Sequence, residues 1–73
     1  MAERTKELNS ILIEVLYGLG LSQTKIMLTM AIISAYHIQY EILEWFVDYY
    51  DREGKMTIQV FMAKLRELTD EDV

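Results

Sequence analysis

Seventy-three residues without a cysteine exclude a disulfide framework and thiolate metal sites, and leave room for one domain at most. Seven basic against twelve acidic residues give a formal charge of −5, which favours solubility and disfavours loose binding to DNA, RNA or anionic lipid. Hydrophobic residues make up 52% of the chain, more than one small core readily accepts, so a homo-oligomer or a protein partner is expected.

The opening stretch MAERTKELNS is mixed in charge and runs straight into an amphipathic pattern. No targeting segment is expected there, and the expected location is cytoplasmic. Leu8, Ile11, Leu12, Val15, Leu16 and Leu19 then recur at the 3.6-residue period and predict a first helix over residues 5–17. Gly18 and Gly20 offer left-handed exits from it, and Ser22 is suited to cap the next helix. The segment GLGLS therefore reads as a helix–helix joint. A phosphate cradle needs a longer glycine-rich loop, normally after a strand.

A second helix is predicted over residues 23–33. Ile26, Met27, Leu28, Met30, Ala31 and Ile33 leave it little polar face beyond Lys25 and Thr29, so it is expected to be central and covered on more than one side. No Lys, Arg, Asp or Glu occurs between Ile26 and Tyr40. That stretch is still shorter than the roughly 20 apolar residues a bilayer span requires, and Ser34, His37 and Gln39 interrupt it. No span is expected. Ser34 is read as a second N-cap, with the chain breaking over residues 34–36; one continuous bent helix is the alternative.

The third helix, residues 37–51, has an inner stripe of Ile38, Ile42, Trp45, Phe46 and Tyr49. A second stripe, Tyr40, Leu43, Val47 and Tyr50, lies beside it and is the candidate interface with another protein, either a second copy or a larger partner. Glu41, Glu44, Asp48 and Asp51 form a charged ribbon with His37 one turn upstream. Such a ribbon holds a metal only if facing helices add ligands. Glu7 and Glu14 are all that the first helix offers, so the ribbon reads as a solvated face.

The segment DYYDREGKMTIQVF leads into a fourth helix over residues 57–68, with Thr57 as its cap and Met56 and Phe61 placed as a hydrophobic staple. Its buried face is expected to be Ile58, Phe61, Met62, Leu65 and Leu68, and the acidic tail 69–73 is expected to fray. Around Gly54 the segment resembles an EF-hand loop: Asp51 takes the third position, Glu53 the fifth, Met56 the eighth and Thr57 the ninth. The first position is Tyr49 and the closing one Val60, neither a carboxylate. A degenerate EF-hand-like module without strong calcium binding is thus one alternative. A second alternative is a helix-turn-helix-like DNA-binding regulator using Arg52, Lys55, Gln59, Lys64 and Arg66.

No nucleophile is paired with a base, and the single histidine has no serine–acid framework around it. The sequence therefore predicts an all-α protein, a compact orthogonal or bundle-like array of four short helices in a single domain, residues 1–73. It is expected to be non-catalytic, to hold no cofactor or metal, to take no small-molecule substrate, and to act through protein–protein contact, dimerisation included.

Overall fold

Four helices joined by three short connections carry the chain: α1 (Ala2–Gly18), α2 (Gln23–Tyr36), α3 (Gln39–Glu53) and α4 (Ile58–Thr69). The computed structural model describes residues 2–70, with side chains from residue 4 onward, and no strand occurs among them. Residues 71–73 of the acidic tail lie outside the described residues. Thr69, expected in the frayed tail, closes α4 instead, its hydroxyl donating to the Leu65 carbonyl at 3.0 Å.

Each joint has a local cause. Gly20, at φ +96°, turns the chain out of α1. The Leu21 amide then donates to the Leu16 carbonyl at 3.2 Å and the Gly20 amide to that of Tyr17 at 3.0 Å. Those two bonds form a Schellman closure, which consumes carbonyls that the helix end leaves unpaired. Ser22 caps α2 by accepting from the Lys25 amide at 3.3 Å, and Thr57 caps α4 by accepting from the Val60 amide at 3.2 Å. Gly54, at φ +77°, ends α3 with its amide on the Tyr50 carbonyl.

The second joint departs from expectation. Ser34 is no cap: it lies inside α2, which runs on to Tyr36. His37 breaks the helix instead, at φ 55°, with the amides of His37 and Ile38 on the carbonyls of Ser34 and Ile33. Ile38 and Ile33 are both buried, giving this closure the apolar contact that usually accompanies it. Hence α3 starts at Gln39 rather than at residue 37, and the chain turns by 116° between the two helices.

A left-handed non-glycine residue costs about 1–2 kcal/mol, and a glycine there gives back about 0.4–1 kcal/mol to unfolded-chain entropy. The His37 side chain is exposed. His37→Gly should therefore stabilise the fold by about 0.5–1 kcal/mol, read as a rise of a few degrees in the thermal midpoint.

Helix α1 packs against both α2 and α3, while α4 leans chiefly on α3. Leu12 and Leu16 of α1 meet Ile26, Met30 and Ile33 of α2, Ile38 and Ile42 at the corner and in α3, and Phe61 and Leu65 of α4. Phe61 is wholly enclosed, with Trp45 and Phe46 edge-on to it at ring-centroid distances of 6.2 and 6.5 Å. The radius of gyration is 11.8 Å, against about 11 Å from size scaling, so the helices form one compact array.

Most of the expected inner stripes of α3 and α4 face this core, with Met56 packed at its edge as the staple requires. Tyr49, however, packs on Trp45 at a ring-centroid distance of 5.4 Å outside the cluster, and Ile58 lines the groove between α2 and α4. Helix α2 does not behave as expected. It is buried on one side only, at Ile26, Thr29, Met30 and Ile33, and its other side is open.

Candidate interaction surfaces

Three helices leave large apolar residues uncovered: α1 at Ile11, Ile13 and Tyr17, and α2 and α3 along the faces described next. On α3, Tyr40 and Val47 are 62% and 58% exposed and Tyr50 is about half exposed, while Leu43 is half-buried against the core. Tyr40, Leu43 and Val47 line one groove with Leu8 of α1, and Glu44 and Asp48 form its acidic edge. Tyr50 lies further along the same seam, in a second groove with Glu14, Gly18 and Lys55. The structure thus brings three of the four candidate interface residues to one groove and places the fourth at the next.

The larger open face belongs to α2. Opposite its buried residues stand Leu28, Ala31 and Ala35, flanked by Met27 and Ile32, and all five are exposed. Met27 and Leu28 are 66% and 62% exposed. Leu28 also lines a groove between α2 and α4 whose apolar walls are Leu19, Leu21, Ile58 and Met62. From Ile26 to Tyr40 this surface carries no Lys, Arg, Asp or Glu. A helix apolar all round is normally enclosed. Here half of it faces outward, because a four-helix array of this size has no element left to lay over it.

The charge-free run is visible in the sequence; its exposure is not. Among the described residues no single helix is long and apolar enough to cross a membrane.

The residues of the DNA-binding alternative do not share one surface: Lys55, Gln59 and Lys64 line three different grooves, and Arg52 and Arg66 line none of these three. Lys55 lies in the α1–α3 seam with Glu14, and Gln59 in the α2–α4 groove with Lys25. Lys64 lies beside Glu41, Glu44 and Asp48. Its ammonium is 3.5 Å from a Glu67 carboxylate oxygen and 6.0 Å from the Trp45 ring centroid. The Arg52 guanidinium lies 5.6 Å from the Tyr49 ring centroid. Arg66 is exposed in the last turn of α4.

The calcium-loop alternative meets a different geometry. Tyr49, Asp51 and Glu53 belong to α3, and only residues 54–57 connect α3 to α4. A twelve-residue ligand loop is replaced by a four-residue turn. Among the described residues, no three His, Asp or Glu side chains converge as a metal site.

No family model, curated protein or solved structure matches this chain. The surfaces themselves carry the functional argument.

Proposed function

We propose that the chain is a protein-contact module that forms a homodimer through the outer face of α2. The observation that carries this reading is the exposed, charge-free surface of Met27, Leu28, Ala31, Ile32 and Ala35. Two chains of charge −5 repel wherever acidic faces meet, and this surface is free of acidic groups.

The face is also suited to meet a copy of itself. In a two-fold contact, residue i touches j and j touches i. An antiparallel pairing centred between Ala31 and Ile32 sets Leu28 over the second copy's Ala35, and Ile32 over its Ala31. In these two central pairs a large side chain falls opposite a small one, which favours close packing, while Met27 meets Tyr36 at the edges. Lys25, near the start of α2, falls near the end of the second copy's helix, where the helix dipole favours a cation.

Area sets a further condition. A standard interface covers about 800 Å² per partner, roughly a seventh of this chain's 5503 Å². Fourteen helical residues span only about 21 Å, so a strip one helix wide falls well short. The contact must spread into the adjoining α2–α4 groove, to which Leu28 already belongs.

Sedimentation at micromolar concentration tests the proposal. The expected species has twice the 8.6 kDa chain mass, and added salt strengthens it by screening the repulsion between acidic chains. A clean monomer at that concentration overturns it. So does association only in the presence of uncharged lipid vesicles, which would assign the face to a membrane surface.

A further inference from the structure

The exposed face of α3 has two parallel stripes of different chemistry, and together they describe a second partner. Tyr40, Leu43, Val47 and Tyr50 recur at i, i+3, i+7 and i+10, and Glu41, Glu44, Asp48 and Asp51 run beside them at the same spacing. The stripes meet physically: Glu44 and Asp48 edge the groove whose apolar walls are Tyr40, Leu43, Val47 and Leu8.

None of these four carboxylates makes an ion pair among the described residues, where the ion pairs join Arg52 to Glu53 and Lys64 to Glu67. Lys64 shares a groove with Glu41, Glu44 and Asp48, but its ion pair is with Glu67 at 3.5 Å. Like charges three or four residues apart on a helix repel. The ribbon therefore gains from any cation brought alongside it, while the apolar stripe gains from being covered.

We infer that this face docks a basic amphipathic helix of another protein. Its apolar residues would enter the Tyr40–Leu43–Val47 groove and its lysines or arginines would lie along Glu41, Glu44, Asp48 and Asp51. This is the helix-in-groove mode of recognition, with charge setting orientation and partner choice. It uses a helix other than α2, so it stands whether or not the chain dimerises.

The test uses a designed helical peptide of leucine and lysine, with leucines at i, i+3, i+4 and i+7, and a second peptide with glutamate in place of every lysine. Binding to the full chain is followed by fluorescence anisotropy at low salt. The lysine peptide should bind at least roughly tenfold more tightly than the glutamate peptide, and salt should weaken it. Glu44→Lys with Asp48→Lys should weaken binding by roughly tenfold or more. Glu7→Lys with Asp70→Lys changes net charge equally, lies off the face, and should leave affinity within about threefold. Val47→Asp should weaken binding as the first pair does, whereas Leu28→Asp on α2 should not.

Equal loss with both charge-reversed pairs reduces the effect to net charge and overturns the inference. Equal binding of the two peptides overturns it as well, as does full binding by Val47→Asp. These readouts move independently of the dimer, which strengthens with salt where this contact weakens.

Discussion

Phe61→Ala should strip the fold of a large part of its stability, about 3–5 kcal/mol. Phe61 is one of two buried side chains on α4, Leu65 being the other, and it inserts between Trp45 and Phe46 of α3. Truncating a buried phenylalanine to alanine costs about 3–5 kcal/mol, combining lost transfer energy with the cavity left behind. A chain of this length holds about 4–11 kcal/mol in total at typical per-residue stability, and small domains fall toward the lower end. The substitution thus removes a large part of the margin. It also releases α4, whose contacts are chiefly with α3.

Urea unfolding followed by circular dichroism measures the effect. Phe61→Leu, which keeps most of the volume, should lose clearly less. A loss below about 1 kcal/mol for the alanine variant would mean that α4 is not anchored where Phe61 places it. Protein concentration must be held fixed, because the proposed dimerisation would add to apparent stability by mass action.

Legibility in the sequence tracks the range of the forces involved. The caps at Ser22 and Thr57 and the turn at Gly54 depend on bonds spanning three or four residues, and they stand where local chemistry puts them. The buried sides of α3 and α4 come from apolar period alone. Ser34 misleads because a good cap residue is not sufficient to start a helix. The break falls at His37, where the left-handed residue lets both Ile33 and Ile38 enter the core, and burial of that pair is not readable from a local cap signal.

The open side of α2 is illegible for a related reason. Sequence pattern says that Met27, Leu28 and Ile32 are apolar, but whether anything lies over them depends on how many elements surround the helix. The second stripe on α3 is legible because its polar neighbours mark its edge. The α2 face has no such edge, and its uniformity hides it within what reads as a buried helix.

Leu28→Asp should raise the dimer dissociation constant by at least about a thousandfold while leaving the monomer folded. Leu28 is 62% exposed within one chain, so its replacement removes little from the core. The change in helix propensity costs about half a kilocalorie per mole. In the proposed pairing the same position is covered by the second copy, and two-fold symmetry buries it twice. Each aspartate would give up its water for the methyl group of Ala35, a penalty of several kcal/mol per ion with no cation opposite. Leu28→Gln removes apolar contact without adding charge and should weaken association far less.

The companion variant is Val47→Asp, which puts a carboxylate on the α3 stripe and should leave the dimer intact. If instead Val47→Asp dissociates the dimer and Leu28→Asp does not, the copies meet through α3. The acidic ribbon would then lie against its own image, and the dimer would strengthen steeply with salt or at low pH. That pattern separates the two arrangements in a single series of sedimentation runs, because the α2 contact has no carboxylate to titrate.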